Sequence, residues 1–260
     1  MDSILSYWEE QAAKHGSSSH ASWADDYMVE LERSFLAKFI TDLSPANVLD
    51  CGTSNGHSLL CLAERFSSVD FEAFDYSSEM ISQAKFALEN SSCANISRLS
   101  LQDVKSTDYP SDSFDFVYTT RVLINLPTWK EQILAIKECF RLVRPGGSLL
   151  LMEAFWEPLC KLNSFRILGG LAPLEEHDFN RYLKHSNLSD LLVEMGGKYS
   201  THDFSSTYYF LTRFVRELIN ANKLDSGYKS NFNYNAKELH MLLEPSQGLG
   251  VQQAYLINKL

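Results

Sequence analysis

The sequence predicts an α/β fold in which helices cover both faces of a mostly parallel sheet. The first observation is residues 48–56, an apolar lead-in that ends at an acid and is followed by two glycines four residues apart. The second is the amphipathic run of residues 57–66 directly behind the glycines. The third is residues 69–75, where apolar side chains alternate with polar or small ones before a helix that Ser77 can cap. Strand, tight loop, helix and strand in this order are typical of a nucleotide-binding α/β unit.

The glycine loop behind the first predicted strand is the first candidate binding element. Asp50 ends that strand, and Gly52 and Gly56 let the backbone take positive φ values and let a ligand approach closely. The helix behind the loop contributes unpaired N–H groups and the positive end of its dipole. We therefore expect a cofactor to contact Asp50, Gly52, Thr53 and Gly56.

A second acid, Asp75, ends the second predicted strand, and Tyr76 follows it. A carboxylate at this place can accept two hydrogen bonds from the cis diol of a ribose. The alternative is a surface acid that favours the dipole of the next helix. The glycine loop upstream favours the ribose role, so we expect Asp75 and Tyr76 to contact a bound nucleoside.

Further motifs follow in an order that is found in one enzyme family. Residues 102–104 are Gln-Asp-Val after a third predicted strand, residues 113–119 are Ser-Phe-Asp-Phe-Val-Tyr-Thr, and residues 142–147 are Leu-Val-Arg-Pro-Gly-Gly before a fifth strand. Together with the glycine loop, they resemble class I S-adenosylmethionine-dependent methyltransferases over about residues 45–155. The resemblance implies a Rossmann-like sheet of seven strands, with residues 251–257 as a last, antiparallel strand. It also implies S-adenosyl-L-methionine as the cofactor.

The same resemblance implies roles for residues beyond the glycine loop. Asp103 and Val104 match the positions that contact the adenine, and Thr119 lies near the methionine portion of the cofactor. One position departs from the family pattern, because Ser54 stands where the middle glycine of the loop usually lies. A serine is small enough for the loop, so the departure bears on cofactor affinity rather than on the fold.

The chain divides into three predicted parts of one domain. Residues 1–44 form an N-terminal helical cap, residues 45–155 form the S-adenosylmethionine-binding core, and residues 156–260 form a substrate-side insertion with the last strands. Apolar residues in the cap recur every fourth position, which is the pattern of one helix face. They are Trp23, Tyr27, Leu31, Phe35 and Phe39.

Three side chains are candidate general bases for the methyl transfer that the resemblance implies. Methyl transfer needs donor and acceptor in line, exclusion of water and, for a hydroxyl acceptor, removal of a proton. Glu153 ends the fifth predicted strand, where it can act as this base or be tied structurally to a nearby N–H or arginine. His20 and His177 are the other candidates because imidazole titrates near neutral pH.

Candidate substrate-binding residues follow the fourth strand and occupy the insertion. Arg121 can bind a carboxylate or phosphate in bidentate fashion, or form an ion pair at the sheet end. Arg181 and Tyr208 lie in segments that mix aromatic rings with Arg and Asn, a composition that suits a sugar or another small polar metabolite. The alternative is an aromatic core beneath a helical lid.

Two aromatic residues of the cap, Tyr7 and Trp8, are candidates for contact with the cofactor. Rigid rings with polar tips exclude water and can face a sulfonium through cation–π contact. The alternative is simple packing of the cap on the core.

Composition limits the classes of function. The net charge of −10 weighs against a nucleic-acid substrate, because affinity for polyphosphate comes mainly from Lys and Arg. Five cysteines without CxxC or metal-like spacing indicate a reduced compartment and no metal site. With no leader-like segment and no apolar run of about 18 residues, we expect a cytoplasmic protein that is not in a membrane. The oligomeric state, monomer or homodimer, stays open.

The predicted function is transfer of a methyl group from S-adenosyl-L-methionine to an oxygen or nitrogen of a small polar metabolite, of the sugar or natural-product type. Three alternatives remain. One is a protein methyltransferase, and another is a cofactor-binding subunit without turnover. The third is an NAD-dependent oxidoreductase, which is disfavoured because the glycine spacing is not Gly-x-Gly-x-x-Gly.

Overall fold

The computed structural model describes residues 3–219, 227–243 and 248–260. Within these ranges, one sheet contains β1 (Asn47–Cys51), β2 (Asp70–Asp75), β3 (Ile96–Leu101), β4 (Phe114–Thr120), β5 (Val143–Ala154), β6 (Lys198–His202) and β7 (Gln252–Asn258). The helices are α1 (Ser3–His15), α2 (Asp26–Leu43), α3 (His57–Arg65), α4 (Ser78–Glu89), α5 (Trp129–Leu142), α6 (Trp156–Leu168), α7 (His185–Glu194), α8 (Ser206–Phe210), α9 (Arg216–Ile219) and α10 (Asn231–Leu242). None of these helices is long and apolar enough to cross a bilayer.

The strand order is β3-β2-β1-β4-β5-β7-β6. Strands β1 to β5 pair in parallel, whereas β7 runs antiparallel to both β5 and β6. This topology confirms the predicted Rossmann-like, mostly parallel sheet of seven strands with an antiparallel seventh strand. The order reverses between β1 and β4, which is where open α/β sheets bind their ligands.

The central strands are buried on both faces. In β1 and β4, Val48, Leu49, Phe116 and Val117 have no exposed surface. Such continuous apolar runs are typical of parallel strands that helices cover from both sides. One apolar core joins the sheet to α2 and α3, and the other joins it to α5 and α7. The sheet edge that carries Asp50 and Asp75 is therefore held by a rigid scaffold.

The cap helix α2 begins later than the fourfold spacing predicts. Asp25 caps it by accepting a hydrogen bond from the Met28 N–H, so α2 starts at Asp26 and Trp23 lies before it. An acid at the N-cap is a strong start signal because it satisfies an unpaired N–H. The prediction that Trp23 belongs to the helix face is wrong, whereas Phe35 and Phe39 lie on α2 with ring centroids 5.0 Å apart.

The Pro-Gly-Gly segment is part of a strand rather than a turn before one. β5 already begins at Val143, because Gly146 donates its N–H to the carbonyl of Lys259 and Gly147 accepts from the Lys259 N–H. Gly147 is needed here, since a Cβ at this position would lie 2.7 Å from the Asp115 carbonyl oxygen. The prediction that the fifth strand starts at Ser148 is therefore corrected to Val143.

Candidate active site

A cleft opens at the carboxyl ends of β1, β2 and β4, and the cap helices α1 and α2 form its opposite wall. It lies where the strand order reverses, the place expected for a ligand. Most of the predicted cofactor residues line this cleft: Asp50, Gly52, Thr53, Asp75, Tyr76, Asp103, Val104 and Trp8.

The glycine loop turns tightly over the end of β2. The N–H groups of Gly52 and Thr53 both donate to the Phe74 carbonyl, at 2.8 and 2.9 Å. Gly52 has φ +81°, and a Cβ there would overlap the Val122 side chain. Ser54 also takes a left-handed φ of 55°, which explains why a glycine suits its position. The loop thus exposes backbone at a place where a side chain would fill the cleft.

Asp75 holds the glycine loop and the start of α4 with its two oxygens. Oδ2 accepts the Ser54 N–H at 2.8 Å, and Oδ1 accepts the Ser77 N–H at 2.9 Å. Burial raises the pKa of Asp75, and these backbone donors counteract the rise. Because each carboxylate oxygen can accept a second hydrogen bond, the group can still bind a diol in the cleft.

Asp50 lies beneath the loop, at the floor of the cleft. It is buried, and burial raises its pKa to about 7, while the hydroxyls of Thr53 and Tyr118 lower it.

Gly56 has a different role from the predicted one. It is buried with φ +76°, and a Cβ there would lie 3.0 Å from the Cβ of Ala84 on α4. The expected cofactor contact of Gly56 is therefore corrected to close packing of α3 on α4.

The far end of the cleft, beyond β3, combines an apolar floor with charges. Val104 is buried there, and Lys105 bridges two acids, with its Nζ 3.5 Å from Asp103 Oδ2 and 3.4 Å from Glu131 Oε1. Asp103 Oδ1 also accepts the Lys105 N–H at 2.9 Å. An apolar surface with polar groups at its rim suits a flat heterocycle such as adenine.

The two aromatic residues of α1 take different places. Trp8 lines the cleft. Tyr7 packs instead against the insertion, with its ring centroid 4.8 Å from that of Phe179 and 5.9 Å from that of His177. The Tyr7 ring also contacts the Trp8 ring, with centroids 5.1 Å apart. Tyr7 is not among the described residues that line the cleft, so its contact with the cofactor stays a prediction.

Neither histidine candidate is placed as a base. His177 is exposed and lies in the aromatic cluster with Tyr7 and Phe179. His20 Nε2 lies 3.2 Å from Asp26 Oδ2 at the start of α2. Both rings are occupied by contacts outside the cleft, which corrects their predicted catalytic role.

Glu153 is enclosed and has a structural role. Its carboxylate accepts the Thr119 hydroxyl at 2.8 Å and the backbone N–H groups of Val122, Leu123 and Ile124 at 3.1, 3.2 and 3.3 Å. It thereby ties the end of β5 to the 3-10 turn that follows β4. The catalytic role predicted for Glu153 is wrong, and Thr119 faces this carboxylate rather than the cleft.

The buried Glu153 carboxyl makes stability depend on pH. Burial raises its pKa in the folded protein to about 7 from the ordinary 4.5. The folded state thus binds the proton more tightly than the unfolded chain, so this stabilisation is full below about pH 4.5 and is lost as the pH rises through 7. Between about pH 5 and pH 8, we expect the urea-unfolding free energy of Glu153→Gln to fall less than that of the wild type, by about 1–3 kcal/mol. Equal losses in the two proteins would contradict this.

Arg121 lines the cleft and is also held by the cap. Its Nε donates to Glu32 Oε1 at 2.9 Å, its Nη1 donates to the Ser22 carbonyl at 3.2 Å, and its guanidinium lies 4.9 Å from the centroid of Trp23. The predicted alternative of an ion pair is therefore present, and because the side chain also borders the cleft, its contact with a substrate carboxylate or phosphate stays a prediction.

The other two predicted substrate residues lie elsewhere. Tyr208 is fully buried, and its hydroxyl donates to Asp25 Oδ1 at 2.7 Å. Arg181 is exposed, and its Nη1 donates to the carbonyls of Asp178 and Asn180 at 3.2 and 2.7 Å. Their predicted contact with substrate is wrong, because Tyr208 belongs to the core beneath the cap and Arg181 closes its own loop.

The sequence prediction missed the residues that α2 contributes to the cleft. Glu32 is only 3% exposed and lines the cleft with its helix neighbour Leu36, four residues on. The sequence signal for Glu32 was an acid on an otherwise apolar face of a helix, because a buried acid needs a partner or a function. Other missed lining residues are Ser22, Arg33 and Ser58.

Comparison with known proteins agrees with this geometry. Residues 48–147 match the family model of a methyltransferase domain. The ubiquinone/menaquinone biosynthesis C-methyltransferase UbiE of Geotalea daltonii is 28% identical over 175 residues, which are 62% of this chain and 69% of that protein. The malonyl-(acyl-carrier protein) O-methyltransferase of a Marinomonas species is 34% identical over 154 residues, which are 56% of this chain and 52% of that protein. The chain thus spans about half the length of the second relative.

Solved structures support the fold. The CcbJ methyltransferase from Streptomyces caelestis is 13% identical and superposes with a TM-score of 0.59, covering 88% of this chain and 89% of that chain. The segment that matches the methyltransferase family holds the strands and the glycine loop that build the cleft. Residues 48–147 therefore form a methyltransferase domain, and the domain match together with the relatives indicates S-adenosyl-L-methionine as the cofactor.

Proposed function

We propose that this methyltransferase acts on an oxygen or nitrogen of a small polar metabolite. The observation that carries the proposal is the polar lining of the cleft, where Glu32 and Ser22 of the cap contact Arg121 at the end of β4. Helix α1 adds Ile4 and Trp8 to the lining of the same cleft. Polar groups beneath a helical cap suit a small acceptor with hydrogen-bonding groups better than a protein surface.

Each part of the cleft has a task in this proposal. When bound, the cofactor supplies a methyl group that is already activated by its positive sulfur. Asp75 would hold the ribose, the backbone of Gly52 and Thr53 would cradle the methionine portion, and Val104 would contact the adenine. The cap would exclude water and hold the acceptor in line with the methyl, which is the main contribution that an enzyme makes to such a transfer.

The test is transfer of labelled methyl from the donor to extracts that are fractionated by size and charge. We expect label in low-mass, polar, acid-soluble compounds, on oxygen or nitrogen. Label in acid-precipitated protein would favour the protein methyltransferase, and label on carbon would favour a reaction like that named for the UbiE relative. Binding of S-adenosylhomocysteine without transfer to any fraction would favour a subunit without turnover.

Several broader expectations belong to the same proposal. We propose a cytoplasmic location, supported by the five free cysteines at positions 51, 61, 93, 139 and 160. The division into cap, core and substrate-side insertion is also a proposal, as is a monomer or homodimer that needs neither nucleic acid nor membrane. Size-exclusion chromatography with light scattering would determine the oligomeric state.

A further inference from the structure

Glu32 is a buried acid on the cap wall of the cleft. Its side chain is about 4% exposed, and its Oε1 accepts the Nε–H of Arg121 at 2.9 Å. Arg121 itself is fixed at the end of β4, because its backbone N–H donates to the Met152 carbonyl at 2.9 Å. The ion pair uses one oxygen of the carboxylate, so the other oxygen can accept a hydrogen bond from a ligand in the cleft.

The position of Glu32 differs from that of the other acids in the cleft. Asp50, Asp75 and Asp103 belong to the sheet edge and its loops, where they line the floor, hold backbone groups or pair with Lys105. Glu131 lies in the first turn of α5 and also pairs with Lys105. Glu32 approaches the cleft from α2, whereas Gly52 lines the same cleft from the loop after β1. In an in-line transfer the acceptor must lie on the side of the methyl away from sulfur, so it has to enter between the cofactor and the cap.

The surroundings of Glu32 prepare it to exchange a proton. Burial raises its pKa, and the nearby Asp25 adds to the rise, whereas the charges of Arg121 and Arg33 lower it. Burial raises the pKa of Tyr209 on α8, and the charge of Glu32 adds to that rise. A carboxyl group whose pKa is moved towards neutrality by burial is suited to general base catalysis.

We propose that Glu32 binds the acceptor's O–H or N–H group beside the transferable methyl and takes its proton during the transfer. The inference rests on the proposed function and names the base for it. The acceptor's heteroatom forms a bond to the methyl carbon, the methyl–sulfur bond breaks, and its electron pair stays on sulfur as a neutral thioether. The acceptor proton goes to the Glu32 carboxylate, and Arg121 keeps that carboxylate in place.

The test compares two cofactor analogues and needs no acceptor. Sinefungin carries a positively charged amino group where S-adenosyl-L-methionine carries its methyl, whereas S-adenosylhomocysteine carries nothing there. If Glu32 faces this point, isothermal titration calorimetry should find sinefungin bound at least about tenfold more tightly than S-adenosylhomocysteine by the wild type. In Glu32→Gln the preference should fall below about threefold, while the affinity for S-adenosylhomocysteine stays within about threefold of the wild type.

The matched control is Asp103→Asn at the adenine end, which should change the affinity for both analogues by the same factor. Absence of the preference in the wild type, or its survival in Glu32→Gln, would overturn the proposal. If Glu32→Gln does not fold, Glu32→Asp withdraws the carboxylate by one methylene and must also reduce the preference, and a full preference there overturns the proposal. The labelled-methyl experiment fails or succeeds independently, so failure of the acceptor class is distinguishable from failure of Glu32.

Discussion

Asp75→Ala is expected to weaken the binding of S-adenosylhomocysteine by about 1.5–3 kcal/mol, or roughly 10- to 150-fold. The carboxylate lines the cleft at the end of β2, where it can accept hydrogen bonds from both ribose hydroxyls. It also holds the Ser54 and Ser77 N–H groups, so its loss removes both a ligand contact and the loop geometry. Isothermal titration calorimetry measures the affinity directly.

Two further variants separate these contributions. Asp75→Asn keeps an acceptor oxygen for one backbone N–H, so we expect it to retain more stability than Asp75→Ala but still bind the nucleoside weakly. Asp70→Asn changes an exposed acid at the other end of the same strand and should leave the affinity unchanged. Unchanged affinity in Asp75→Ala, or equal losses in Asp75→Ala and Asp70→Asn, would show that Asp75 does not hold the ribose.

Local sequence patterns were sufficient to predict the sheet edge. The segments that end at Asp50 and Asp75 predict to within one residue where two parallel strands stop, since β1 ends at Cys51 and β2 at Asp75, and parallel strands stop at the same edge. Ser77 caps α4 as predicted, by accepting the Met80 N–H at 3.1 Å. These features depend on contacts within a few residues of chain, which a periodicity can reveal.

The direction of individual side chains was harder to predict. Thr119 and Thr120 are neighbours on β4, yet Thr119 donates to Glu153 while Thr120 lines the cleft. Because successive strand residues point to opposite faces, an uncertainty of one residue in register exchanges a ligand contact for a buried structural one. The same reason explains why Glu153, although at the carboxyl end of β5, is turned away from the cleft.

Pairs that are distant in sequence could not be predicted at all. Arg121 meets Glu32 across 89 positions, and Tyr208 meets Asp25 across 183 positions. The cap and the insertion were recognised as helical and aromatic, but which of their polar groups face the cleft depends on how they pack on the sheet. A single sequence carries no local signal for that packing.

Gly52→Ala is expected to lower the free energy of unfolding by about 2–4 kcal/mol and to reduce the binding of S-adenosylhomocysteine beyond detection. Two costs add at this position. The left-handed φ of +81° is unfavourable for alanine, and the new methyl overlaps the Val122 side chain. Val122 also donates its N–H to Glu153, so the loop cannot move aside without disturbing that turn. Urea unfolding and calorimetry measure the two effects.

Gly170→Ala separates the two costs, because Gly170 has φ +73° and no atom within 4 Å of a Cβ placed there. The free energy of unfolding of Gly170→Ala should therefore fall only by the cost of the left-handed backbone, about 1 kcal/mol, and its affinity for S-adenosylhomocysteine should not change. The double variant Gly52→Ala with Val122→Ala removes the overlapping methyl groups and should recover part of the stability lost by Gly52→Ala. If Gly52→Ala were no more costly than Gly170→Ala, the close approach of the β1 loop to the turn after β4 would not constrain the site, and the need for glycine at position 52 would be conformational alone.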